Sequence, residues 1–353
     1  MQLLEVLSAV TTVSLVTAHL SKNSSLRDAY ETVEISDAPT GERLPTAAAR
    51  FLRNQLRICR AVLQRDEDVI LFFGSTSYLL PILFANLLGK TVVLQPRGNV
   101  PESLYQVWCE KLPYPIAYFA SRLVWGLERL GYQAADAIIT LSSGMADDLE
   151  LGIHEEKLHR NGAWHVDTEQ FRPITPYQER DRCLGYVGRL AEEKGIRELV
   201  DIVAELPTNI KFVFVGDGEL RSWIADELAT EINAGRVEIT GWVNHNRVPE
   251  LLNQFRLLVM TSRTEGLPTT ILESMACGTP VCARPVSGVT DVVLPGMTGY
   301  LLKEETPPEA AERIVSVLEA TSTETSDECR TFAEEEYSFA AAIERYESIL
   351  STL

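Results

Sequence analysis

Two short segments in the second half of the sequence place charged side chains where they could hold an extended anionic ligand. The first is Gly188-Arg189-Leu190-Ala191-Glu192-Glu193-Lys194-Gly195, which sets two fixed cations five residues apart at the mouth of an expected helix. A guanidinium and an ammonium beside the free amides of a helix N-terminus suit a pyrophosphate, one as a planar fork and the other as a point charge. A solvated charged loop would read the same way in isolation. The second segment runs Ser262-Arg263-Thr264-Glu265-Gly266-Leu267-Pro268-Thr269-Thr270-Ile271-Leu272-Glu273. Gly266 permits close backbone approach, Pro268 is placed to open a helix, and the amides of Thr269 and Thr270 would face an anion. Glu265 falls just before that helix and Glu273 about one and a half turns inside it. Their carboxylates could therefore reach different parts of one ligand, each accepting from vicinal hydroxyls of a sugar or ribose. Without that context, two glutamates eight apart are usually surface residues.

The elements that must position these groups alternate along the whole chain. Apolar runs at Leu3–Val10, Val69–Phe73, Thr91–Gln95 and Asp136–Leu141 read as strands, with helices at Tyr78–Leu88, about Pro115–Leu130 and Gly144–Leu151. A proline-containing polar stretch from Phe171 to Arg180 reads as a linker. A second series follows, with strands at Arg182–Val187, Ile210–Val215, Arg236–Ile239, Leu257–Thr261, Pro280–Ala283 and Gly299–Leu301. Its helices fall near Gly195–Glu205, Leu220–Ala234, Pro249–Phe255, Pro268–Ala276 and Pro308–Ala320. Short strands alternating with helices imply parallel sheets covered on both faces, and ligands then bind beyond the carboxyl ends of the strands. The acidic stretch Glu319–Glu336 reads as a solvated connection to a final helix.

Composition narrows the classes. At 353 residues and 45% hydrophobic, the chain is long and apolar enough for two cores. Its 50 acidic residues against 32 basic ones give a net charge of −18, which argues against nucleic acid as a partner. Lysine is scarce (7) and arginine common (25), an acid-rich pattern that resembles proteins of salt-loving organisms. The apolar N-terminus is broken by Ser8, Thr11, Thr12, Ser14 and Thr17 and lacks a basic leader, so a buried strand and a cytoplasmic protein are expected. Six cysteines without metal-ligand spacing suit reduced thiols.

The donor-like segments resemble the second half of retaining glycosyltransferases of family 4. The resemblance runs from about Leu184 to Leu302. It covers Gly188-Arg189 with Lys194-Gly195, Val215-Gly216-Asp217-Gly218, Gly241-Trp242-Val243, Glu265-Gly266-Leu267-Pro268 through Glu273, Ala276-Cys277-Gly278-Thr279-Pro280-Val281, and Gly288-Val289 with Gly299-Tyr300-Leu301. Weaker similarity lies at Gly89 to Gly98 and at Asn161-Gly162, Val166-Asp167-Thr168 and Phe171-Arg172-Pro173. It implies an α/β fold of GT-B type, two facing Rossmann-like doubly wound parallel-sheet domains with a C-terminal crossover helix. Residues 1–172 would form the acceptor-side domain, 173–334 the nucleotide-sugar donor domain, and 335–353 a helix packing back on the first. Arg189 and Lys194 would hold the donor diphosphate as electrostatic catalysts, Glu273 the ribose hydroxyls, and Glu265 with the Gly266 and Leu267 amides the transferred sugar. Gly188, Gly216, Trp242, Val243, Pro268, Thr269 and Thr270 would complete the donor site, and Arg97 would face the acceptor side. The implied partners are a UDP- or GDP-sugar and a glycan acceptor, lipid-linked in dolichol phosphate style, in N-glycan or S-layer surface-glycan assembly. The implied hexosyltransferase has no cofactor and no metal, and could touch the inner face of the membrane peripherally.

Departures and competing readings matter too. Relatives often carry a glycine pair after the first strand, whereas Ser8–Ser25 contains none. A GT-B sugar-nucleotide epimerase and an inactive binding or scaffold relative are the alternatives. Asp66-Glu67-Asp68 precedes a strand and reads as a turn, not a metal motif. Gly216-Asp217-Gly218 lacks the third glycine of a dinucleotide fingerprint, which is replaced by Arg221. His154, His159 and His165 lack partner carboxylates at ligand spacing, which favours structural roles. Within Tyr105–Tyr132, Ile116, Phe119, Ala120, Leu123, Val124 and Leu127 form an expected core stripe. Arg122, Trp125 and Arg129, near Lys111, form a second face suited to a membrane interface or to solvent.

Overall fold

Along the strands of the second half, consecutive side chains feed two different cores. Leu184 and Tyr186 enter one cluster while Cys183 enters the other, and Phe212 and Phe214 part from Val213 and Val215 in the same way. A strand buried on both faces reads as an unbroken apolar run, as these do. The computed structural model describes residues 2–20, 24–36, 44–74, 76–109, 112–160, 162–263 and 265–353. Lys111, Asn161 and Thr264, named above, lie outside the described residues.

The chain forms two units, one of residues 1–141, 146–162 and 345–353, the other of residues 142–145 and 163–344. The first half holds α1 (Gln2–Val10), β1 (Ser14–Thr17), α2 (Leu26–Ala29), β2 (Glu31–Glu34), α3 (Leu44–Leu63), β3 (Val69–Phe73), α4 (Leu79–Leu87) and β4 (Thr91–Gln95). It continues with α5 (Val100–Cys109), α6 (Tyr114–Ala134), β5 (Ala137–Ile139), α7 (Ser143–Asp148) and β6 (Leu158–His159). Strands β3-β4-β5-β6 make one parallel sheet, and β1-β2 pair separately. The second half holds β7 (Cys183–Val187), α8 (Ile196–Glu205), β8 (Lys211–Val215), α9 (Arg221–Glu227), α10 (Ala229–Asn233), β9 (Val237–Gly241), α11 (Val248–Leu252) and β10 (Leu257–Met260). It ends with α12 (Thr269–Ala276), β11 (Val281–Ala283), β12 (Gly299–Leu301), α13 (Pro307–Ala320), α14 (Thr323–Tyr337) and α15 (Phe339–Ser351). Among the described residues no helix is long and apolar enough to cross a membrane.

The structure departs from the sequence reading most consequentially in four places, besides dividing the expected helix Leu220–Ala234 into α9 and α10 and adding α3 and α5. Leu3–Val10 is helical, not a strand: Leu3, Val6, Leu7 and Val10 share one helical face, Val6 and Leu7 are buried, and the first strand follows at Ser14. The expected linker is packed into the second unit. There Phe171, Tyr177 and Arg180 are buried, and the Arg180 guanidinium donates to the Phe255 carbonyl at 3.0 Å, the Cys277 carbonyl at 2.8 Å and Thr279 Oγ1 at 2.6 Å. The acidic connection is the helix α14, capped by Ser322 and packed against α12 through Cys329, Ala333 and Tyr337. Finally, α6 is turned round. Ile116, Phe119 and Leu123 are exposed, while Ala117, Ser121, Glu128, Gly131 and Tyr132 face inward. At Gly131 the helix sits so close that a Cβ would lie 3.0 Å from the Thr76 carbonyl.

Candidate functional site

The second sheet runs β12-β11-β10-β7-β8-β9, all parallel, with its first strand in the centre. From β7 the chain moves outward on one side through β8, and from β10 outward on the other through β11. The order therefore reverses between β7 and β10, and a crevice opens at their carboxyl ends. Both charged segments leave from there, one after β7 and one after β10.

The two loops are joined by an ion pair. Glu192–Lys194 forms one short helical turn after β7, and Lys194 Nζ lies 2.7 Å from Glu265 Oε1, with Glu265 nearly buried. The Arg263 amide donates to the Glu193 carbonyl at 3.1 Å, fastening the backbones together. Gly195 makes the approach feasible: its φ is +67°, and a Cβ there would lie 1.9 Å from the Thr261 carbonyl oxygen. Gly195→Ala is expected to destabilise the protein by about 1–3 kcal/mol, read by urea unfolding. An unchanged midpoint would show that the two loops can separate freely. Arg189 pairs with Glu193 on its own loop and is mostly exposed.

Neighbouring loops converge on the same edge. The Gly188 amide donates to the Val215 carbonyl at 3.0 Å, and the Gly216 amide to the Gly241 carbonyl at 3.1 Å. Trp242 follows, largely exposed, while Val243 packs on the core. After β10, Leu267 is buried, Pro268 precedes the first turn of α12, and Thr269 and Thr270 open the helix. The Gly266 carbonyl is approached so closely by Gly288, at φ +79°, that a Cβ there would come within 1.4 Å.

Glu273, inside α12, is 8% exposed. Burial pushes its carboxyl above the usual range, partly offset by the hydrogen bond and charge of His245, whose Nε2 lies 2.9 Å from Glu273 Oε1. With the carboxylate ionised, Nε2 is the protonated nitrogen. The His245 ring rests on buried Phe171, with centroids 5.2 Å apart. The sequence reading missed His245; its position two residues after Val243, in a loop at a strand's carboxyl end, was the available clue. Ser262, just beyond β10, is buried, and its hydroxyl is among the described buried polar side-chain groups that lack a hydrogen-bond partner.

Arg97 belongs to the other unit, where its guanidinium lies 5.2 Å from the centre of the Phe73 ring and its side chain covers Gly74. That unit has its own cavity of 330 Å³, lined by Tyr105, Tyr118, Arg122, Trp125, Glu128 and Arg129 among others. Arg122 lies 4.1 Å over the Trp125 ring, and burial pushes the Glu128 carboxyl up.

Residues 167–336 match the family profile of glycosyl transferases group 1. The chain is 28% identical over 289 residues to alpha-D-kanosaminyltransferase of Streptomyces kanamyceticus, covering 76% of this chain and 71% of that protein. Its fold matches the Anabaena protein HepE, solved with UDP and glucose, at a TM-score of 0.65 and 18% identity over 93% of this chain and 88% of that one. It also matches sucrose-phosphate synthase from Thermosynechococcus elongatus at a TM-score of 0.71 and 19% identity, covering 99% and 91%. Residues 167–336, just under half of the chain, thus resemble glycosyl transferases group 1 in sequence, and the chain is a glycosyltransferase whose two-domain α/β fold matches GT-B structures.

Proposed function

We propose that this glycosyltransferase moves a hexose from a UDP- or GDP-sugar to a glycan acceptor, retaining the anomeric configuration and using no metal. The observation that carries the reading is the Lys194–Glu265 pair at the switch point of the second sheet. It sets a cation for phosphate and a carboxylate for sugar hydroxyls side by side at the mouth of α12. As the bond from the sugar to the diphosphate lengthens, negative charge grows on the phosphate. Lys194 and Arg189 stabilise it, each by sharing or leaving the carboxylate that now holds it. Glu265 and the Gly266 and Leu267 amides orient the sugar, and the amides of Thr269 and Thr270 face the phosphates. Glu273 offers its second oxygen to a ribose hydroxyl while His245 holds the first. The base lies near Gly188, Gly216, Trp242 and Val243. A structural neighbour solved with UDP supports the nucleotide donor.

The acceptor is assigned to the first unit's cavity, whose aromatic rings, arginines and buried Glu128 suit a sugar ring. A lipid-linked acceptor, in surface-glycan assembly at the inner face of a membrane, extends this reading. The acidic, lysine-poor composition supports a source in a salt-loving organism.

The test is nucleoside diphosphate release from a panel of UDP- and GDP-sugars in high salt, with and without a membrane lipid extract. Release that the extract stimulates, and that Glu265→Ala abolishes, is the expected result. No release from any donor by a chain that nucleotide still stabilises would overturn transfer in favour of binding alone.

A further inference from the structure

The cavity of the first unit is lined along α6 by a ladder of flat side chains. Building on the acceptor reading of that cavity, we propose that it takes an uncharged chain of two or more sugar rings, not a single sugar. Tyr114, Tyr118, Arg122, Trp125 and Arg129 form the ladder. Steps of three and four residues keep them on one stripe of the helix, which covers about 22 Å from Tyr114 to Arg129 at 1.5 Å per residue.

The two ends of the ladder differ. At the inner end the Glu128 carboxyl is 3% exposed and accepts from the Thr76 hydroxyl, with acceptor capacity to spare. Arg122 lies 4.1 Å from the centre of the Trp125 ring and Arg129 5.0 Å, so the indole there carries guanidinium donors. At the outer end Tyr114 and Tyr118 are both exposed, their ring planes 12° and their centroids 6.4 Å apart. Tyr105 of α5 stands edge-on to Tyr114 at 6.1 Å. A sugar ring asks for polar partners at its hydroxyls and flat apolar surface at its C–H faces. Tyr118 and Glu128 are about 15 Å apart along the helix, more than one ring spans. The inner end therefore holds one ring by its hydroxyls, and the tyrosines stack on the next.

Charge excludes other occupants. Carboxylates outnumber cations in the lining, with Glu102, Glu128, Asp148 and Glu150 against Arg122 and Arg129. Arg129 is taken up by Glu150, through its carboxylate and, at 3.0 Å, its carbonyl. Glu150 makes that clamp at φ +52°, backbone strain of the kind retained at ligand sites. A phosphate, a sugar acid or a nucleic-acid strand would meet net repulsion, and an acyl chain would leave the carboxyls without partners. A neutral polyhydroxyl chain meets neither cost.

The test is calorimetric titration of the full chain, without donor. The probes are glucose, mannose and galactose, the linear di- to tetrasaccharides of each, glucuronic acid and glucose 6-phosphate. In at least one neutral series affinity is expected to rise roughly 2- to 10-fold from one ring to two, the worth of one aromatic stacking contact. Tyr114→Ala with Tyr118→Ala should bring the longer sugars down to the affinity of the single ring. Thermal stabilisation of that variant by UDP or GDP shows that it is folded. Equal affinity for one ring and four in every series that binds would overturn the second ring and leave the acceptor reading standing. Tighter binding of glucuronic acid or glucose 6-phosphate than of glucose would overturn the uncharged ligand. No binding of any sugar to a chain that UDP or GDP still stabilises would overturn the proposal together with the acceptor reading.

Discussion

Lys194→Ala is expected to lower kcat/KM by about 10² to 10³, the effect of removing one preorganised donor from a site of developing charge. The loss should fall mainly on kcat, because the charge on the leaving diphosphate is greatest in the transition state. The structure adds a second expectation. Lys194 is engaged with Glu265 at 2.7 Å, so removing the cation leaves a nearly buried carboxylate unanswered. Glu265→Gln does the opposite and releases the ammonium. It should keep or tighten binding of the nucleoside diphosphate while still impairing turnover of the sugar nucleotide. Steady-state kinetics with calorimetric titration of the diphosphate would separate the two. Equal loss of diphosphate affinity in both variants would show that the pair acts only as a structural clasp.

Glu273→Gln is expected to weaken donor binding by roughly 10- to 100-fold, the worth of a hydrogen bond to a charged acceptor, without lowering the thermal midpoint at pH 7. The sign follows from burial. The folded chain raises the Glu273 carboxyl above its ordinary value, so the native state holds that proton more tightly than the unfolded chain does. Its stabilising contribution is present at pH below the unfolded value and is lost as pH rises through the folded one. At neutral pH the buried carboxylate is a burden that glutamine removes, so the midpoint should be equal or higher, with the difference shrinking toward pH 4. His245→Ala should weaken donor binding less and raise the Glu273 value further, because it removes the interactions that offset burial. A lower midpoint for Glu273→Gln at pH 7 would show that the carboxylate serves stability rather than ligand.

Much of this arrangement was legible because the strands of the two larger sheets are parallel apolar runs bounded by turn residues, most of them buried. Val69–Phe73, Thr91–Gln95 and Gly299–Leu301 are strands over the residues their apolar runs mark. The loops after β7 and β10 stood out through glycine, proline and charge at fixed offsets. What escaped depended on long-range contact. Nothing local says that His245 meets a carboxylate 28 residues away. Leu3–Val10 is apolar enough to satisfy either period, so its helix could not be told from a strand. The orientation of α6 ran against its own pattern, since hydrophobicity alone would have buried Phe119 and exposed Ser121.

The group proposed to grip the donor lies wholly within the second unit: Lys194, His245, Glu265 and Glu273 all fall between residues 163 and 344. Recombination that replaced the rest of the chain would therefore carry donor preference along intact while offering it a new acceptor. The graft has an unexpected seam. Residues 345–353 belong with the first unit, where the Tyr346 hydroxyl donates to Gln95 Oε1 at 3.1 Å, so an incoming first unit must bring its own C-terminal tail. Chimeras joined only near residue 163 would inherit a mismatched last helix, and lineages that diversified by such exchange should show two crossover points rather than one.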